Sequence, residues 1–191
     1  MRGFSNNAVI NANRLRILRI CDTISARGEN VEKEFACFFT GHRIIANSKI
    51  AAIEERIERE AETLINDKGV TDFITGGARG FDTIAARVII RLKKKYDYIK
   101  LHLYLPCYDQ MEKWSARDRY TARMIMSYAD SKLYAVEGNY VAGCMQLRNK
   151  KMANDAEYCI AYMNNPRSGT ASTVSYARDI GDTVINIGYE E

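Results

Sequence analysis

Apolar residues in this chain follow two rhythms. Short unbroken runs stop at glycine, proline or a polar cluster. Between them lie longer stretches in which apolar positions recur every three or four residues. The first kind reads as buried strand and the second as amphipathic helix. Phe35-Ala-Cys-Phe-Phe-Thr40 is such a run and halts at Gly41. A helix follows, capped by Ser48, with Ile50, Ile53, Ile57, Ala61, Leu64 and Ile65 on one face and Gly69 at its end. Further strands are predicted near residues 71–75, 99–105, 131–136, 158–163 and 183–187, with helices near 81–95, 110–128, 143–154 and 168–180. Strict strand–helix alternation means parallel strands joined by right-handed crossovers, with helices on both faces. The expected fold is therefore α/β, a Rossmann-like three-layer sandwich with a mostly parallel sheet.

Residues 1–33 do not share this rhythm. Asn6, Asn7, Asn11 and Asn13 interrupt them, and only Leu15, Ile17, Leu18 and Ile20 form a short apolar pattern. They read as a weakly ordered or docked extension preceding a single ligand-binding domain over 34–191. A sharper reading makes them a basic arm through Arg14, Arg16, Arg19 and Arg27.

Composition narrows the picture. The 191 residues are 47% hydrophobic, enough for a core without disulfide or metal staples. The formal net charge of +4 permits an anionic partner without demanding one. The five cysteines form no C-x-x-C pair, which argues against a zinc knuckle or a dithiol redox motif and for a reducing compartment. No apolar stretch approaches the ~20 residues of a membrane span. The polar run Gly3–Asn7 is no signal-peptide core. A cytoplasmic location without membrane contact is expected.

In open α/β sheets, ligands sit beyond the carboxyl ends of the strands. Three strand-ending loops there are unusual. Thr40-Gly41-His42-Arg43 offers a tight turn and a guanidinium suited to phosphate or carboxylate. Gly76-Gly77-Ala78-Arg79-Gly80-Phe81-Asp82 lies between strand and helix, as a phosphate cradle does. Asp82 there caps the helix or holds a ribose hydroxyl. Pro166-Arg167-Ser168-Gly169-Thr170-Ala171-Ser172-Thr173 opens another helix with hydroxyls and free N–H groups. Each loop alone reads equally well as a turn with a cap; together they converge on one crevice. Arg148 and Asn149 join the candidates, because asparagine is an odd choice inside a helix. Trp114 is a core residue by its usual burial habit. With two histidines, His42 and His102, no metal-ligand cluster is expected, and no nucleophile–base–orienter set can be assembled.

The ordered set Phe38–Arg43, Phe73–Asp82, Leu105-Pro106-Cys107 with Gln110 and Trp114, Met145 with Arg148-Asn149, and Gly169-Thr170 with Thr173 and Tyr176-Ala177 resembles the YpsA-like branch of the SLOG superfamily. That superfamily also holds the DprA/Smf and Lonely Guy proteins. The resemblance runs from about residue 35 to the end. It implies a Rossmann-like fold and a nucleotide-derived ligand at Gly41, His42, Arg43, Gly76, Gly77, Asp82, Gly169 and Thr170. Two positions depart from the family pattern: Ile44 stands where proline usually follows, and Ser168 where a glycine usually precedes. Thr173 occupies the place of the Lonely Guy catalytic glutamate, which counts against that hydrolase chemistry.

The reading that follows is a sensing or regulatory module rather than an enzyme. It binds a phosphate-bearing nucleotide, NAD or ADP-ribose-like ligand through Gly41, His42, Arg43, Gly76, Gly77, Arg79, Asp82, Arg148, Asn149, Ser168, Gly169, Thr170 and Thr173. A homo-oligomer is compatible with it. One alternative is hydrolysis of an N-glycosidic or phosphoribosyl bond. Another is DprA-like single-stranded DNA binding, which the twelve tyrosines allow and the modest charge does not favour.

Overall fold

In a computed structural model describing residues 31–189, the alternation of the sequence becomes six strands and five α-helices. In chain order these are β1 (Ala36–Gly41), α1 (Ile50–Thr63), β2 (Asp72–Thr75), α2 (Phe81–Leu92), β3 (Lys100–Leu105), α3 (Ala116–Tyr128), β4 (Ser131–Tyr134), α4 (Cys144–Asn154), β5 (Tyr158–Tyr162), α5 (Gly169–Asp179) and β6 (Thr183–Asn186). The expected extension lies outside the described residues through residue 30, as does Cys21. The described chain opens at Val31, which packs on the core. Lys33 then pairs with Asp182 at 3.0 Å.

The sheet order is β4-β3-β2-β1-β5-β6, and every pairing is parallel. The chain runs outward from β1 to β4, then returns to place β5 on β1's other side. The strand order thus reverses between β1 and β5, which is where such sheets leave a crevice.

β1 shows why the layers form. Its side chains alternate between two apolar cores. Cys37 and Phe39 face α1, α2 and α3, where they meet Phe73, Leu101, Leu103, Ile57, Ile84 and Ile89. Ala36 and Phe38 face α4 and α5, where they meet Ile74, Met152, Ala153, Val174 and Ala177. A strand apolar on both faces is a continuous run rather than an alternation, which is how the sequence read. Fully burying each such phenylalanine contributes ~1.5–3 kcal/mol.

Two boundaries differ from expectation. Ser48 does not cap α1: it lies in a 3-10 turn over Asn47–Lys49, and Lys49 holds the cap position with no side-chain bond. α3 begins at Ala116, capped by Ser115, whose oxygen accepts the Asp118 amide at 3.0 Å. Residues 108–113 form turns instead of helix. Pro106 and the Asp109 turn that follows break the helix at that point. Gly69 does end the first helical segment, at φ 70°.

A polar line crosses the N-terminal ends of β2, β3 and β4. His102, 1% exposed, bonds Ser131 Oγ through Nδ1 at 2.7 Å and Asp72 Oδ1 through Nε2 at 2.8 Å. Thr71 donates to the other Asp72 oxygen at 2.6 Å. Burial raises the Asp72 carboxyl, but these bonds carry it below its ordinary range. The line ties three strands together at the end opposite the crevice. Among the described residues, no helix is long and apolar enough to cross a membrane.

Candidate functional site

The crevice is assembled by aromatic packing beneath its loops. Gly41 ends β1 against Phe81, and a Cβ at that position would lie 2.4 Å from the Phe81 ring. Phe81 stacks on Tyr162 at the end of β5, at 5.8 Å and 18°. His42 meets the same tyrosine edge-on at 6.0 Å, and its Nε2 accepts the Asn164 amide at 3.3 Å. Accepting there places the ring proton on Nδ1. The three loops are thereby locked to one another by Phe81 and His42, which belong to the loop motifs, and by Tyr162, which does not.

The loop after β2 is wound tightly upon its neighbours. Gly77 and Gly80 have φ of 59° and 75°, a region other residues adopt only under strain. Gly80 presses on the β1 loop: a Cβ would come within 2.5 Å of the His42 and Arg43 carbonyl oxygens. The Phe81 amide donates to the His42 carbonyl at 3.1 Å. Gly77 donates to Thr75 Oγ1 at 3.2 Å, and its carbonyl accepts from Gln110 at 3.4 Å.

The anion in this cradle is the protein's own. Asp82 is 6% exposed, and its Oδ2 accepts the Ala78 amide at 3.2 Å. Asp82 does not cap α2; Gly80 holds that position. Arg148 of α4, 5% exposed, places Nη1 3.6 Å from the same oxygen. A Cβ on Gly76 would lie 1.4 Å from that nitrogen, so only glycine leaves room for the guanidinium. Arg148 Nε and Nη1 have no hydrogen-bond partner among the described residues. Burial pushes the Asp82 carboxyl above its ordinary range, against the pull of Arg148, the Ala78 amide and Arg43. Burial also lowers Arg148, with Asp82 opposing that shift and Arg43 adding to it. Two guanidiniums and one carboxylate therefore share this end of the crevice.

The loop after β5 is open by contrast. Ser168 caps α5, accepting the Ala171 amide at 3.1 Å and donating to the Asn165 carbonyl at 2.7 Å. Gly169 has nothing within 4 Å of where a Cβ would be. Thr173 donates to the Gly169 carbonyl at 3.1 Å and accepts from Asn149 at 2.8 Å. That bond is the polar contact the mid-helix asparagine makes.

The structure thus brings Gly41, His42, Arg43, Gly76, Gly77, Asp82 and Arg148 together. It sets Asn149, Ser168, Gly169, Thr170 and Thr173 on the α4–α5 side. Arg79 is engaged elsewhere, over the Trp114 ring at 5.8 Å and 3.7 Å from Asp118. Trp114 is only partly buried, so it is less a core residue than its type suggests. Beneath the loop, a cavity of about 10 Å³ between Thr75, Gly77, Asp82, Leu105 and Gln110 holds at most one water. A nucleotide therefore has room only on the outer side. A larger groove of about 640 Å³ lies between α1 and α2, but Glu54, Glu55, Glu58 and Glu62 line it and disfavour an anion. Among the described residues, no cluster of histidine, cysteine or carboxylates has metal-holding geometry.

Comparison with known proteins covers most of this fold. The model of the YspA SLOG family (YpsA) matches residues 38–179. An uncharacterised SPbeta prophage-derived protein, YoqJ, of Bacillus subtilis (strain 168) is 28% identical over 143 residues, covering 69% of this chain and 84% of its own. A solved chain of DNA processing protein A from Helicobacter pylori, described for its single-stranded DNA binding mode, superposes with a TM-score of 0.60 at 14% identity over 83% of this chain and 67% of its own. DprA from Streptococcus pneumoniae gives 0.56 at 17% identity, over 80% of this chain and 49% of its own. These two likenesses show the fold, and the chain spans about half of the second.

Proposed function

This chain belongs to the YspA SLOG family, and from that premise we propose that it binds a phosphate-bearing, nucleotide-derived ligand in the crevice at the ends of β1, β2 and β5, in a sensing or regulatory role. The observation that carries the reading is Arg148. A buried guanidinium with two unpartnered nitrogens costs free energy that a native fold retains only for a reason. With Arg43 acting on the same carboxylate, it suits a phosphate group. At the loop after β5, the free space at Gly169 lets a ligand approach the backbone that opens α5.

A thermal-shift panel of nucleoside mono- and diphosphates, cyclic nucleotides, NAD and ADP-ribose tests this. A ligand at a hundredfold over its Kd stabilises the fold by ~2.7 kcal/mol. Arg43→Ala abolishes the shift while leaving the unliganded Tm in place. No shift with any member sinks the reading. Release of free base during incubation turns it toward hydrolysis.

A second reading, single-stranded DNA binding, is favoured by the α3 surface, where Tyr120 and Tyr128 stand 67% and 54% exposed beside Arg117 and Arg123. Its mark is affinity that drops steeply between low and high salt. Affinity indifferent to salt excludes it.

A further inference from the structure

Asp82 has no role in the reading above beyond its pairing with Arg148, and its position gives it one. It is a carboxylate enclosed on the ligand's own floor, bonded to a loop amide and facing the guanidinium that the ligand is to engage. The charged and titratable groups around it are few. Arg148 comes from α4, with Cys144 one turn earlier beside it, and Arg43 comes from the β1 loop. On the β3 side, uncharged Gln110 faces Gly77. Two cations and one anion leave a single positive charge to meet a ligand. A singly charged phosphodiester balances it. A doubly charged ligand leaves one negative charge too many beside a buried carboxylate, where such an excess is costly.

We propose that Asp82 is the specificity-determining residue for ligand charge: a doubly charged phosphate ligand binds together with one proton taken from solvent onto the Asp82 carboxylate. The inference rests on the ligand reading above. The proton goes to an Asp82 oxygen, and the vacated attraction of Arg148 passes to the phosphate oxygens. Gly76 permits the Arg148–Asp82 pairing, because a Cβ there would lie 1.4 Å from Arg148 Nη1 and 2.7 Å from Asp82 Oδ2. The upward displacement of the Asp82 carboxyl by burial already favours the proton before any ligand arrives. The consequence is selective: lowering the pH admits doubly charged ligands and leaves singly charged ones unaffected.

The test uses ADP-ribose, whose pyrophosphate bears two charges that do not titrate near neutrality. Isothermal titration calorimetry of the full chain, repeated in buffers of different ionisation enthalpy, counts protons taken up per ligand bound. An uptake of up to one proton is expected wherever Asp82 is ionised in the free protein, with affinity falling up to tenfold per pH unit there. Asp82→Asn removes the uptake and makes the affinity independent of pH. Because the wild-type proton count needs no variant, a poorly folding Asp82→Asn protein leaves the test intact. Binding with no proton uptake overturns this proposal and leaves the ligand reading standing. No binding of ADP-ribose at millimolar concentration overturns the proposal outright; a hit elsewhere in the nucleotide panel then keeps the ligand reading, and a blank panel removes both.

Discussion

The loops after β2 and β5 carry the same sequence signature, glycine between strand and helix, and are built to opposite ends. In the β2 loop each glycine is forced by a neighbour: Gly76 by Arg148, Gly77 by Leu105, Gly80 by the His42 and Arg43 carbonyls. In the β5 loop Gly169 touches nothing, and Ser168 satisfies its hydroxyl within its own turn. The first loop is filled by the protein's own carboxylate and guanidinium. The second leaves its space open. A glycine-rich motif thus marks two different things: a place where the chain must pack backbone on backbone, and a place where something else can come close.

The contrast is sharpest where it touches stability. Gly80→Ala combines a positive φ with a backbone clash that no rotamer relieves, and the expected loss is about 3 kcal/mol in urea unfolding. A wild-type midpoint in this variant would break the comparison. Next comes Arg148→Met, which strands the Asp82 carboxylate in a buried site and costs about 3 kcal/mol. Adding Asp82→Leu restores much of that stability without restoring ligand binding. Additive losses in the double variant would show that the two residues do not act as a pair.

A smaller effect is read against pH. The folded-state Asp82 carboxyl lies above its ordinary range, so its contribution to stability is complete below about pH 4, the unfolded carboxylate value, and is lost as pH rises through the folded one. Unfolding curves of wild type and Asp82→Asn should therefore separate as pH rises from 4 toward neutrality, with the wild type losing ground. Parallel curves contradict the displacement. The smallest effect is Gly169→Ala, which keeps stability within about 1 kcal/mol of wild type and gains some through a better helix former. Its methyl group enters the open space at Gly169, so under the proposed reading affinity for any hit of the nucleotide panel drops severalfold. A collapse of the fold instead would mean that the β5 loop is as tightly packed as its counterpart.

The sequence made the sheet legible because buried parallel strands are continuous apolar runs and their loops announce themselves with glycine. Every strand and helix falls within a few residues of its expectation, save the start of α3, where the turns after Pro106 passed for helix. Of the candidate site, the three loops were readable and their wiring was not. Arg148 is a candidate in the sequence beside Asn149, but its burial and its pairing with Asp82 are not readable there. The overlooked signal is its register: Cys144, Arg148 and Met152 are spaced at i, i+4 and i+8, and all three are buried. A lone arginine on an apolar ridge is a buried charge in waiting. Tyr162 was read only as strand, yet it joins Phe81 to His42. The His102–Asp72–Ser131 line was out of reach, because it requires the strand register of β2, β3 and β4.

The contact between Gly80 and the carbonyls of His42 and Arg43 has a consequence for how this crevice changes over evolutionary time. Two of its three walls are fused through backbone, so a substitution that reshapes one distorts the other. Novelty is then confined to positions outside the weld: Ser168, Gly169, and the fully projecting Ile44, which is 92% exposed. Those are the positions at which a substitution alters the open side of the crevice without moving the fused floor.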